Sequence, residues 1–99
     1  MSRGDQVANL SLRQLLAALD QDRRLLEMLL DEGVLAPPLE RDYTAAELEA
    51  ARVARVLHRE LDVNLAGVEV ILHMREQILA LRTQMEEILR HLQSEPGRR

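Results

Sequence analysis

Apolar residues fall along this chain in four bursts, each opened or closed by turn-forming residues. The first is LSLRQLLAAL. Ser11 stands as a helix N-cap, Gln14 follows three residues on, and Leu10 and Leu15 occupy staple positions. This predicts a short helix over 12–19. The second burst, LDQDRRLLEMLLDEG, restarts with Asp20 as N-cap and Asp22 near the positive helix end. Leu25, Leu26, Met28, Leu29 and Leu30 form a wide apolar stripe. Gly33 sits where a left-handed C-cap is needed, and Pro37-Pro38 forbid continuation. In the third, LERDYTAAEL, Tyr43 and Leu48 flank Thr44 as a staple and Glu47 completes a T-x-x-E capping box. The predicted helix runs over 45–61. Ala50, Val53, Ala54, Leu57 and Leu61 fall on one side, and Arg52, Arg55 and Arg59 on the other with Val56 beside them. Asn64 caps the fourth helix, over 65–93, where Ala66 and Gly67 permit close packing.

That last helix needs a partner. Ile71, Met74, Ile78, Leu81, Met85, Ile88 and Leu92 recur at spacings of 3, 4, 3, 4, 3 and 4, a heptad seam that Leu72, Leu79 and Leu89 widen. At 1.5 Å per residue such a helix is roughly 43 Å long. Three short helices cannot cover it, so a second copy on the distal half is expected, in preference to packing on the chain's own core. The direction of the two helices is left open. No segment alternates with period two for long enough to be a strand, so the class is all-α. The reading divides the chain into a flexible start (1–9), a compact head (10–63), a coiled-coil-type dimerisation helix (64–93) and a disordered tail (94–99).

Composition narrows the function. The 99 residues are 46% apolar but hold no Phe, no Trp and one Tyr, so aliphatic side chains must build the core. The absence of Cys removes disulfides and thiolate metal sites. No apolar run reaches the length of a bilayer span and no signal peptide is recognisable, which predicts a soluble cytoplasmic protein. All 13 basic residues are Arg. The head carries a net charge of −4 over residues 1–63 and the remainder is neutral, which weighs against nucleic acid as a partner.

Catalytic constellations are absent from the pattern. His58, His73 and His91 lack metal-ligand spacing, and no nucleophile–base arrangement, phosphate loop or paired-carboxylate cleft can be assembled. No enzyme, cofactor, metal or small-molecule ligand is expected. Two surface features remain as contact candidates. One is the strip of Arg52, Arg55 and Arg59, with Val56 as an apolar anchor. The other is the second helix, which pairs Arg23 and Arg24 with Asp22, Glu27, Asp31 and Glu32. A short helix, a turn and a second helix over 11–32 has the layout of a helix-turn-helix, whose second helix reads the major groove. Here four carboxylates against two Arg would repel phosphate.

The order of motifs resembles the MerR superfamily: a helix-turn-helix, then GVLAPP, then RDYTAAE, a third helix, DVNLAGVEVIL and a long C-terminal helix, over about residues 10–92. Within it, NLAGVEVIL is similar to HspR-type heat-shock repressors, and ARVARVLHREL followed by AGVEVILHM to the CbpM chaperone modulators. The resemblance implies a MerR-like head, here with a degenerate short wing because only Leu39 and Glu40 separate Pro38 from Arg41. The run LLEML also replaces the family's basic-aromatic second helix. These departures favour the modulator branch over operator binding.

The modulator branch implies a homodimer that binds the J-domain of a DnaJ-like co-chaperone and inhibits its work with Hsp70. Glu27, Asp31 and Glu32 could complement a basic J-domain surface, and Arg52, Arg55 and Arg59 could meet carboxylates on it. The alternative is a MerR- or HspR-type regulator of heat-shock genes, using Arg13, Arg23, Arg24 and Arg41 on DNA.

Overall fold

The structure, a computed structural model, describes residues 3–38 and 41–94, with side chains from residue 11 onward. It is all-helical, and no strand occurs among the described residues. Four α-helices follow in order: α1 (Arg3–Ala18), α2 (Arg23–Asp31), α3 (Ala45–Arg55) and α4 (Leu65–Ser94). A single π-helical turn, Val56–Glu60, extends α3. Leu39, Glu40 and residues 95–99 lie outside the described residues, and with them the expected wing and most of the expected tail.

The first helix starts at Arg3, not at residue 12. Ser11 is therefore no N-cap. It is fully buried inside α1, and its hydroxyl donates to the Arg41 carbonyl at 3.1 Å, tying the segment before α3 to the first helix. Nor does Asp20 cap α2. It closes α1 in a left-handed conformation (φ 56°), followed by Gln21 (φ 64°). Backbone bonds from Asp20 N to Ala17 O (3.1 Å) and Gln21 N to Leu16 O (2.8 Å) make this a Schellman ending without glycine. The N-cap of α2 is Asp22, whose Oδ1 accepts from Leu25 N at 3.0 Å.

The other punctuation is where the local pattern puts it. Gly33 ends α2 at φ 71°, with Gly33 N on Leu30 O and Val34 N on Leu29 O. Thr44 and Glu47 form a reciprocal capping box on α3. Asn64 Oδ1 accepts from Gly67 N at 2.8 Å at the start of α4.

One core holds the head together. Leu15, Ala18 and Leu19 of the α1 end, Leu25 and Leu29 of α2, and Ala51 and Ala54 of α3 enclose it, with Leu35, Tyr43 and Val68 completing the cluster. Ala51 and Ala54 are wholly inaccessible, so small side chains let α1 and α3 approach closely. The buried set on α3 is thus rotated from the expected one: Ala50, Val53 and Leu57 are half-buried and Leu61 is exposed. Burial raises the Tyr43 hydroxyl above the usual tyrosine pKa, and that hydroxyl donates to Ala36 O at 2.8 Å, closing the loop between α2 and α3.

α4 touches the head only through its first turns. Val68 enters the core, and Leu65 and Leu72 pack partly against it. Every seam residue from Ile71 to Leu92 is between 36% and 61% exposed. The chain's own core therefore does not cover the seam.

Candidate functional site

The arginine strip is arranged differently from a free contact surface. Arg59 donates through Nε to Asp22 Oδ2 at 2.8 Å, and Arg55 lies 3.4 Å from Asp20 Oδ2 and 3.3 Å from Glu60 Oε1. Both guanidiniums clasp the turn between α1 and α2. Arg52 is paired one turn back with Glu49 at 3.1 Å, as their spacing suggests. Val56 stands at the edge of this strip, 38% exposed. The hydrogen bond from Arg59, then that from Leu25 N, hold the Asp22 carboxyl below its ordinary pKa.

Arg41 is also engaged. Its guanidinium grips Glu47 with both terminal nitrogens, at 2.9 and 3.2 Å, and donates to Asp42 O. Together with the Thr44 backbone N–H, this lowers the Glu47 pKa to about 2. Arg13, Arg23 and Arg24 are exposed with no ion pair among the described residues. Glu27, Asp31 and Glu32 are likewise exposed and unpaired. Cationic charge on α3 is thus neutralised within the chain, while the outer face and C-terminal end of α2 keep open carboxylates.

The corner between α3 and α4 is rigidly built. Leu61 N reaches Val56 O, Val63 N reaches Leu57 O, and Asp62 takes the left-handed conformation (φ 55°). His58 Nδ1 lies 2.8 Å from Val63 O, and since a carbonyl only accepts, Nδ1 carries the proton. This histidine is a structural brace. Among the described residues no group of three or more His, Asp or Glu gathers as a metal site. No helix among them is long and apolar enough to cross a membrane.

α4 presents two separate apolar faces. At about 100° per residue, the seam residues fall in one arc, while Leu65, Val68, Leu72 and Leu79 fall in another centred roughly 140° away. Leu72 and Leu79 therefore belong to the head-facing side and do not widen the seam. Ala66, expected to allow close packing, is exposed. Gly67 is the residue that matters there, because a Cβ would come within 2.8 Å of Val63 Cγ1 and 3.2 Å of Asn64 Oδ1.

Where α4 leaves the head, its inner face and the start of α3 leave an open groove of about 750 Å³. Leu15, Leu35, Tyr43, Ala46, Ala50 and Leu72 form its apolar floor and walls, and Leu79 projects at the outer end, 42% exposed. Reading the sequence for one seam missed this second face, although the spacing of Leu65, Val68, Leu72 and Leu79 carries it. No family model matches the chain, and neither the curated proteins nor the solved structures contain a match.

Proposed function

We propose that this chain is a homodimeric modulator of a DnaJ-like co-chaperone, binding its J-domain and restraining its work with Hsp70. The observation that carries the reading is the charge arrangement of the head. Arg41, Arg55 and Arg59 are held in intrachain pairs, while Glu27, Asp31 and Glu32 remain open to a partner. Such a surface suits a basic protein better than a phosphate backbone. The order of motifs from GVLAPP to AGVEVILHM supports the same assignment. The exposed seam from Ile71 to Leu92 supports self-association through α4.

The test is a calorimetric titration of the purified chain with the DnaJ-like proteins of its own genome, coupled to an Hsp70 ATPase assay. Binding with suppression of the stimulated ATPase is expected. Failure to bind any of them would sink the proposal.

A second reading keeps one observation in its favour: Arg13 on α1 and Arg23 and Arg24 at the start of α2 are exposed and without an ion pair among the described residues. A heat-shock-gene regulator would bind operator DNA with a steep salt slope. Undetectable binding to promoter DNA at low salt removes it.

A further inference from the structure

We propose that the groove between the head and α4 is the seat of the co-chaperone, receiving a basic helix that inserts apolar side chains toward Leu72 and Leu79. This rests on the co-chaperone reading and assigns its contact to one place on the molecule. Three observations lead there.

The groove is apolar where it is deep and charged at its lips. Leu15, Leu35, Tyr43, Ala50 and Leu72 line the interior. Its volume, about 750 Å³, lies within the range of about 300–1,000 Å³ typical of binding clefts. Leu79 extends the floor beyond the head and is 42% exposed.

The lips carry surplus negative charge. Glu69 and Glu76 line the α4 side, exposed and without an ion pair among the described residues. Asp31 and Glu32 stand immediately before Gly33 and Val34, which line the opposite side. Arg75 and His73 also line the α4 side, and Glu47 is neutralised by Arg41. Among the residues that line the groove, two open carboxylates, Glu69 and Glu76, stand against one open guanidinium, Arg75, a balance that favours a basic occupant over an acidic one.

A second copy is not the natural occupant. The seam is centred roughly 140° around α4 from the face that carries Leu72 and Leu79, at about 100° per residue, and of the seam residues Met74 alone also lines the groove. A helix pairing along Ile71–Leu92 would cover the seam, Met74 at the edge of the groove included, and leave the floor at Leu72 and Leu79 open. The same helix can therefore serve both partners at once.

The experiment titrates the full-length chain with the intact DnaJ-like co-chaperone by calorimetry, following mass by light scattering and helicity by circular dichroism. Two exposed groove variants are used, Ala46→Arg and the pair Glu69→Arg with Glu76→Arg, beside Glu87→Arg, an exposed charge reversal on the distal half of α4 that does not line the groove. The expected result is a loss of affinity of about tenfold or more for both groove variants, with mass and helicity unchanged and Glu87→Arg within about twofold of the parent. Groove variants that bind like the parent would overturn the groove and leave the co-chaperone reading standing. A parent chain that binds no DnaJ-like protein overturns both. A fall in mass for the groove variants would show that a second copy fills the groove and would overturn the inference.

Discussion

Arg59 holds Asp22 across thirty-seven residues of chain, its Nε 2.8 Å from a carboxylate whose other oxygen caps α2. One aspartate thus joins the start of α2 to the end of α3. Asp22→Ala removes a cap and an ion pair together, and is expected to cost about 1–2 kcal/mol. Asp22→Asn keeps an acceptor for Leu25 N and loses only the charge, so it should cost about 0.5 kcal/mol. Urea unfolding of both variants at neutral pH checks this. Equal losses would show that the ion pair, not the cap, dominates.

Glu47 makes a second such junction at the other end of α3, and it sets an acid limit. Its carboxyl is held at about 2 against an ordinary 4.5, first by Arg41 and then by the Thr44 N–H. The folded pKa is depressed, so its stabilisation is fully present above about 4.5 and is lost as pH falls toward about 2. Asp22, also depressed, acts in the same direction. After allowance for screening at the open Arg41 side, protonating Glu47 is expected to remove about 1 kcal/mol. Glu47→Gln, which can still complete the capping box, should flatten this part of the pH profile, measured by urea unfolding between pH 5 and about 2.5.

These junctions also show what the sequence makes legible. Thr44 with Glu47, Asn64, and Gly33 were readable because a cap is a local contract over three or four residues. Ser11 was misread because S-x-x-Q has the form of a capping box, whereas its hydroxyl is committed to Arg41 O thirty residues away. With two aspartates before α2, propensity alone could not choose. The left-handed turn at Asp20 and Gln21 decides for Asp22. The arginines at 55 and 59 read in sequence as a free contact strip because their partners lie 35 and 37 residues upstream. Leu72 and Leu79 sat next to seam residues in sequence, yet one residue is about 100° of helix, enough to turn them toward the head.

The exposed seam makes a direct prediction for self-association. Ile78 and Leu81 are 60% and 61% exposed in the single chain and sit at the middle of the heptad pattern. Ile78→Glu or Leu81→Glu would bury a charge in any paired helix, so each should shift the protein toward monomer. Sedimentation or light scattering across a dilution series should show about half the parent's mass, with helicity of the head retained. Unchanged mass for both variants would show that the seam does not join two copies.

The corner before α4 gives the last prediction, because two effects oppose one another at Gly67. Alanine in place of glycine inside a helix normally stabilises by about 0.5–1 kcal/mol. Here the new Cβ would stand 2.8 Å from Val63 Cγ1 and 3.2 Å from Asn64 Oδ1, the atom that accepts from Gly67 N. Either Val63 moves, disturbing the backbone that receives Nδ1–H of His58, or the cap is displaced. Losing the cap costs about 1 kcal/mol, which cancels the propensity gain. Gly67→Ala is therefore expected to be neutral to destabilising by about 1 kcal/mol. In an Asn64→Ala background, where the cap is already lost, the same change should be less harmful or stabilising. A double-mutant cycle by urea unfolding measures that coupling, and strict additivity would show that the Cβ disturbs Val63 alone.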